Sequence, residues 1–100
     1  MMIPDAVTAA PELYKTVLDN HRVRVVAMRG RPGTKTAFHS HPSQVAIAMS
    51  DGAFRFTSAD GQFFDVMLQS GQVMFLDPTE HTTEVIGANE ASVLLVELKD

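Results

Sequence analysis

Residues 33–52 read GTKTAFHSHPSQVAIAMSDG and carry the strongest structural signal in the chain. A His-Ser-His triplet is followed by a run of mostly apolar residues and an Asp-Gly turn signal. Because residues two apart in a β-strand project from the same face, the rings of His39 and His41 should stand side by side. This stretch therefore predicts two strands, the first of which presents a pair of histidines.

The rest of the chain repeats this rhythm of short runs rich in Val, Ile, Phe and Thr between turn residues. Segment 9–18 also fits a short helix beginning at Pro11, but a strand is favoured there. The predicted strands are 14–18, 22–29, 36–41, 43–49, 53–58, 62–68, 72–76, 81–86 and 92–98. Nine short antiparallel strands protect their edges by closing into a β-barrel or jelly roll. We expect an all-β fold, with residues 1–13 as an N-terminal arm and residues 14–100 as a single domain.

Composition and charge exclude several classes of function. The 100 residues carry a formal net charge of −4 without a basic cluster, which argues against binding to nucleic acid or to an anionic membrane. No apolar run approaches the roughly 20 residues of a spanning helix, and the first ten residues lack signal-peptide features, so a cytoplasmic location is expected. The charged end, residues 97–100, is expected to be exposed. Without cysteine, any metal must be held by histidine or oxygen ligands.

A third histidine, His81, follows a turn signal at Asp77-Pro78. A closed sheet brings this later strand across from the first histidines, so His81 can complete a metal site with His39 and His41. The alternative is that the histidine pair consists of ordinary strand residues, hydrogen-bonded at the mouth of the barrel. For a His-x-His pair taken alone, this alternative is the favoured interpretation; the glycines around the histidines bear on the choice through the resemblance that their spacing carries.

The spacing of these glycines and histidines resembles the first motif of the cupin superfamily. That motif runs Gly, five residues, His-x-His, three or four residues, Glu, six residues, Gly. Here Gly33, the histidine pair and Gly52 match the motif, and Val45 stands at the glutamate position.

The segment from Gly71 to His81 is similar to the second cupin motif, because it keeps the first glycine, a turn proline at Pro78 and the histidine. It lacks the second glycine and is one residue short, and Val85 stands where cupins often have Asn. The resemblance covers residues 14–99. It implies a small single-domain cupin barrel with a divalent metal on the three histidines.

The residue at the glutamate position affects which metal fits. The usual cupin site combines three imidazoles with one carboxylate, which offsets the charge of the dication and favours harder metals such as manganese. Val45 removes that carboxylate, so His39, His41 and His81 alone favour zinc, nickel, copper or iron. In regular strands, neither the acids near His81 nor the amide before Val45 is placed to replace it.

The alternation of the strands also predicts which side chains line a pocket. If odd-numbered residues from 39 to 49 face inward, that wall is polar at its mouth and apolar below, which suits a small organic ligand. The predicted lining residues are Val45, Ile47, Met49, Phe56, Phe75 and Val85.

Two functions of different classes follow from this reasoning. The favoured one is a metal-dependent cupin that binds a small organic ligand, with oxidation, isomerisation or lyase chemistry at an open metal position. No set of acid, base or nucleophile identifies the reaction. The alternative is a non-catalytic ligand-binding or sensor module without metal, in which Val45 marks the loss of metal chemistry. We also expect a homodimer, because the apolar strands exceed what one barrel interior covers, and a homodimer is compatible with either function.

Overall fold

The computed structural model describes residues 2–99, which form nine strands and one short helix. The elements are α1 (Ala6–Ala9), β1 (Tyr14–Asp19), β2 (Val23–Gly30), β3 (His39–His41), β4 (Gln44–Ala48), β5 (Gly52–Thr57), β6 (Phe63–Leu68), β7 (Val73–Leu76), β8 (Thr79–Val85) and β9 (Ala91–Leu98). The strands lie where the sequence predicts them, within a few residues at each end. Nowhere in residues 2–99 is a helix long and apolar enough to cross a membrane.

Two antiparallel sheets face each other and enclose the core. One sheet has the strand order β1-β2-β9-β4-β7, and the other has the order β3-β8-β5-β6. Each sheet turns its apolar side chains toward the other, and buried residues such as Val26, Met28, Phe54 and Leu95 fill the space between them. This arrangement confirms the predicted all-β jelly roll.

The chain changes sheet between β3 and β4. β3 pairs with β8 in the four-stranded sheet, whereas β4 pairs with β7 and β9 in the facing sheet. Pro42 and Ser43 form the link and lie outside both strands, and Pro42 has no N–H for a ladder hydrogen bond. The crossing reverses the phase of the alternation. The buried residues are His39 and His41 before the link, and Gln44, Ala46 and Ala48 after it.

This change of phase makes the predicted inward orientation of Val45, Ile47 and Met49 wrong. Val45 and Ile47 are half-buried on the opposite face of β4, and Met49 is 54% exposed just beyond its end. Val45 pairs across to Phe75 of β7, whose side chain is itself 59% exposed. Val45 therefore does not project toward the histidines.

Two glycines at turn signals serve different purposes. Gly61, in the hairpin between β5 and β6, has φ 86°, a conformation that glycine adopts without strain. Gly52 begins β5, and a Cβ built on it would lie 2.9 Å from the Cβ of Ala91. The glycine at the end of the first motif is thus required by the close approach of β9.

The predicted N-terminal arm packs against the sheets. Asp5 caps α1 by accepting a hydrogen bond from the Thr8 N–H at 3.0 Å, and Ala6 is fully buried. Asp5 also forms a parallel β-bridge with Ser40, whose N–H donates to the carbonyl of Pro4 at 2.9 Å. The three-residue strand β3 is therefore hydrogen-bonded on both sides, by β8 and by the N-terminal segment.

Candidate metal centre and its cavity

The three predicted metal ligands, His39, His41 and His81, lie together in the structure. The pairing of β3 with β8 sets His39 directly opposite His81, and the repeat of the strand puts His41 on the same face. The ring centroids lie 4.8 to 5.1 Å apart, and one nitrogen from each ring lies within 4.8 Å of the others. The cluster is compatible with a metal site.

The backbone holds His39 in a defined orientation. Its Nδ1 lies 2.8 Å from the carbonyl oxygen of Ala37. A carbonyl oxygen only accepts, so Nδ1 carries the ring proton and donates it to Ala37. Nε2, at the other end of the ring, is buried and has no hydrogen-bond partner among residues 2–99. That nitrogen therefore presents its lone pair to the cluster.

The environment keeps the rings of His39 and His81 uncharged at neutral pH. Burial lowers the pKa of His39 to about 4. Burial, together with the neighbouring His41 and His39, lowers the pKa of His81 to about 3. The ring of His81 also stacks on Phe56, with the centroids 4.7 Å apart. Neutral imidazole is the form that binds a metal, so these two residues are ready to act as ligands at pH 7.

Glu97 provides a buried carboxylate next to the cluster. It lies in β9 in phase with Leu95 and is 3% exposed, so the prediction of an exposed charged end is wrong for this residue. Its Oε2 lies 4.0 Å from His41 Nδ1, and its Oε1 accepts a hydrogen bond from Arg24 Nε at 2.7 Å. Arg24 also pairs with Asp5 at 2.6 Å. Burial raises the pKa of Glu97, but the contacts with His41 and Arg24 outweigh burial and hold that pKa below its ordinary value.

Unpartnered polar atoms are concentrated in this region. Within the described part of the chain, the buried side-chain atoms without a hydrogen-bond partner are His39 Nε2, His41 Nδ1, His81 Nε2, Gln44 Oε1 and Glu97 Oε2. Buried polar atoms are hydrogen-bonded in the great majority of cases, so this concentration of unpaired atoms indicates groups that are available to bind a partner. Imidazole nitrogens are good ligands for zinc and similar metals. The donor set therefore fits a divalent metal held by the three histidines.

A cavity of about 310 Å³ adjoins the cluster. His41, His81, Gln44 and Thr83 contribute to its polar lining, and Asp77 adds an exposed carboxylate. The remaining lining is mainly apolar and includes Phe54, Phe56, Phe64, Leu68, Met74 and Leu95. No lysine or arginine of the described chain lines this cavity. Its chemistry suits a compact, uncharged molecule.

The cavity differs from the predicted pocket. Of the predicted lining residues, Phe56 is the one that lines it. Phe75 does not line the cavity, because the alternation of β7 turns Met74 and Leu76 inward instead. Val45, Ile47 and Met49 do not line it either, because the change of sheet reverses their orientation. Val85 does face inward and is fully buried, but it packs in the core away from the cavity, close to Gly30.

Three residues of this region lie outside the sequence prediction: Gln44, Glu97 and Tyr14. The Tyr14 hydroxyl donates to Thr83 Oγ1 at 3.3 Å, and its ring meets those of His39 and His41 edge-on, with the centroids 5.3 and 5.9 Å away. Burial raises the pKa of Tyr14 to about 12, so its hydroxyl stays protonated. The alternation of β9 puts Glu97 in phase with buried Leu95, but its charge predicted exposure instead. No pattern marked the phase of Gln44.

Comparison with known proteins rests on structure. No protein-family model matches the chain, and no curated protein matches it either. Solved structures do match. A cupin domain from Bordetella pertussis is 24% identical with a TM-score of 0.78, and the match covers 100% of this chain and 99% of that one.

Two further structures show the same architecture. A conserved protein with a double-stranded β-helix domain from Klebsiella pneumoniae is 22% identical, with a TM-score of 0.66 over 88% of this chain and 77% of that one. An RmlC-like cupin family protein from Methanocaldococcus jannaschii is 13% identical, with a TM-score of 0.67 over 87% of this chain and 79% of that one. At these identities the likeness concerns the fold. The chain therefore has the fold of the small single-domain cupins, a double-stranded β-helix.

Proposed function

We propose that this protein binds one divalent metal ion through His39, His41 and His81 and a small neutral organic molecule in the adjacent cavity. The observation that supports the metal site is the convergence of three imidazoles, those of buried His39 and His41 and of half-buried His81. His39 and His81 each have a neutral ring with an unpartnered Nε2. The cupin fold is compatible with such a site.

The ligand set favours particular metals. Three imidazoles without a carboxylate in the cluster suit zinc, nickel, copper or iron better than manganese or magnesium. Three protein ligands leave a coordination position open, where the metal would supply Lewis-acid chemistry to a bound molecule. Oxidation, isomerisation and lyase reactions are the classes that we propose for such a position.

The cavity favours a neutral ligand. Its volume of about 310 Å³ is at the lower end of the range for small-molecule sites, which is roughly 300–1,000 Å³. An anionic group away from the metal would lose its hydration without gaining a lysine or arginine as partner, and Asp77 would repel it. An apolar body with a single oxygen directed at the metal fits this lining best.

Metal analysis of protein purified without chelators tests the metal site. We expect about one zinc, nickel, copper or iron per chain in the unaltered protein, since three protein ligands bind one such ion. His81→Asn should lose that metal. His21→Asn is the matched control, because His21 is exposed in a turn remote in sequence from the cluster. A metal content that is equally low in all three proteins would overturn the proposal.

The ligand class is tested with benzyl alcohol and benzoate, which differ little in size but differ in charge. NMR titration of the zinc-loaded protein should shift the cavity residues Phe56 and Leu68 with benzyl alcohol. A stronger perturbation of these residues by benzoate than by benzyl alcohol would contradict the neutral-ligand proposal. It would not contradict the proposed metal site.

A metal-independent binding module is the second candidate. The observation that favours it is the apolar character of the cavity, since side chains such as Phe54 and Met74 require no metal to bury an apolar molecule. Benzyl alcohol binding that is unchanged by EDTA would support this candidate. Binding that requires the metal supports the first.

A further inference from the structure

The cluster lacks a carboxylate among its ligands, yet one points at it from a strand that the motifs do not include. We propose that Glu97 is a positioning residue for the metal site: it orients His41 and provides the negative charge that Val45 does not. This inference rests on the proposed metal site and assigns a role to a residue of β9.

The register of the sheet brings Glu97 to this place. β9 lies next to β4, and Glu97 is paired with Gln44, the first residue after the sheet crossing. The side chains of Glu97 and His41 are 4% and 3% exposed, so both are shielded from bulk water. The 4.0 Å between Glu97 Oε2 and His41 Nδ1 is longer than a hydrogen bond, but it is close enough for the charge of the carboxylate to act on the ring.

The two oxygens of Glu97 have separate tasks. Oε1 accepts the hydrogen bond from Arg24, and Oε2 faces His41 Nδ1 at 4.0 Å with no hydrogen-bond partner among residues 2–99. An ionised carboxylate only accepts, so it favours the His41 tautomer with the proton on Nδ1. The lone pair is then on Nε2, the ring nitrogen remote from Glu97. His39 has the same arrangement, with the carbonyl of Ala37 in place of the carboxylate.

The charge of Glu97 is not cancelled by its neighbour. Arg24 lies between two carboxylates, at 2.7 Å from Glu97 and 2.6 Å from Asp5. One guanidinium between two carboxylates leaves one net negative charge beside the three imidazoles. That charge offsets part of the charge of a dication, as a carboxylate ligand does, but from behind His41. Asp5 thus connects the N-terminal segment to the metal site.

Metal affinity tests the role of Glu97 directly. In Glu97→Gln, the single amide oxygen accepts the hydrogen bond from Arg24, so the amide NH₂ faces His41 Nδ1. Because an NH₂ group donates, it favours the His41 tautomer with the proton on Nε2. Zinc affinity, measured by competition with a chelating dye, should fall by about 10–100-fold, the usual effect of removing such a partner. The Co²⁺ absorption spectrum should change as well. Asp65→Asn, which breaks the exposed Arg55–Asp65 pair, should alter neither.

The histidine tautomer can be read without any metal. Nitrogen-15 NMR of the metal-free protein at neutral pH should show the proton of His41 on Nδ1, and in Glu97→Gln the population should shift toward the Nε2–H form. An Nε2–H tautomer in the unaltered protein overturns the inference. Because this readout is independent of the metal, it separates failure of this inference from failure of the proposed metal site.

A second variant covers the case in which Glu97→Gln does not fold because Arg24 loses a buried partner. The double variant Arg24→Gln/Glu97→Gln replaces the ion pair by two amides and leaves no buried charge. A loss of zinc affinity of about 10–100-fold in the double variant supports the inference. Zinc affinity within about two-fold of the unaltered protein, with the Co²⁺ spectrum unchanged, overturns it.

Discussion

His39 and His81 lie directly opposite each other in the β3–β8 ladder, with ring centroids 5.1 Å apart and the ring planes perpendicular. The two residues are far apart in the sequence, and each belongs to a different motif. Strand pairing alone makes them neighbours, so the site depends on the register of two short strands.

Metal binding should stabilise the folded protein. A ligand that binds only the native state at about 100 times its dissociation constant contributes about 2.7 kcal/mol. For a domain of this size that corresponds to an increase in melting temperature of roughly 10–20 °C. Differential scanning fluorimetry of the chelated protein with and without added zinc measures the increase. An unchanged melting temperature at saturating zinc would speak against a preformed site.

A carboxylate at position 44 should bind the metal, whereas one at position 45 should not. Gln44 is buried and lines the cavity with His41 and His81, so Gln44→Glu adds a carboxylate that can bind the metal and offset its charge. We expect a gain in zinc affinity of about ten-fold or more, equivalent to about 1.4 kcal/mol. Val45→Glu is the matched control and should leave zinc affinity unchanged, because Val45 lies on the other face of β4. The reverse order of effects in chelator competition would show that the assigned phase of β4 is incorrect.

Filling the cavity should separate ligand binding from metal binding. Ala46 is 3% exposed and lines the cavity, so Ala46→Leu places a larger side chain in the space for the organic molecule. Benzyl alcohol binding should be lost while zinc affinity is kept. Ala59→Leu, at an exposed turn, is the control for the added bulk. A variant that loses zinc together with benzyl alcohol would indicate that the change disturbs the whole site.

The metal-free protein should lose stability on acidification. The pKa values of His39 and His81 are lowered from 6.5 to about 4 and about 3, so the unfolded chain binds protons that the folded chain does not. Above pH 6.5 both rings are neutral in the folded and in the unfolded chain, so keeping them neutral on folding costs no free energy. As the pH falls toward the folded-state pKa values, the free energy of unfolding decreases progressively. Urea unfolding from about pH 7.5 to about pH 4.5 measures the decline. His81→Asn should show a shallower decline, and His21→Asn should match the unaltered protein.

The homodimer stays a prediction, and the structure shows apolar surface that is consistent with it. Phe63, Met67, Val73 and Phe75 are between 58% and 82% exposed on β6 and β7, each of which is the last strand of its sheet. Light scattering at micromolar concentration should give the mass of a dimer. Met67→Lys should weaken the association without changing the fold. A monomer across that concentration range would be evidence against the dimer.

The sequence predicts the strands, the fold and the convergence of the histidines because all three depend on spacing within strands. The pocket lining is not predictable in the same way. Alternation carries no information about a change of sheet, and the strand break predicted at Pro42 does not reveal that the next strand joins the facing sheet with the opposite phase. Glu97 is hidden for a different reason. A charged residue near the end of the chain suggests exposure, and its burial is possible because Arg24 neutralises part of its charge.

The hydrogen bonds at Ser40 affect which fragments of the chain can keep the histidine cluster intact. Ser40 stands between His39 and His41, and its N–H and hydroxyl are bonded to the carbonyls of Pro4 and Ile3. Removing the N-terminal segment would leave one edge of this short strand open to water and would take Asp5 from Arg24. A fragment that keeps the histidine cluster ordered is therefore expected to include residues before the first strand. A domain boundary drawn at Tyr14 would cut through the support of its ligands.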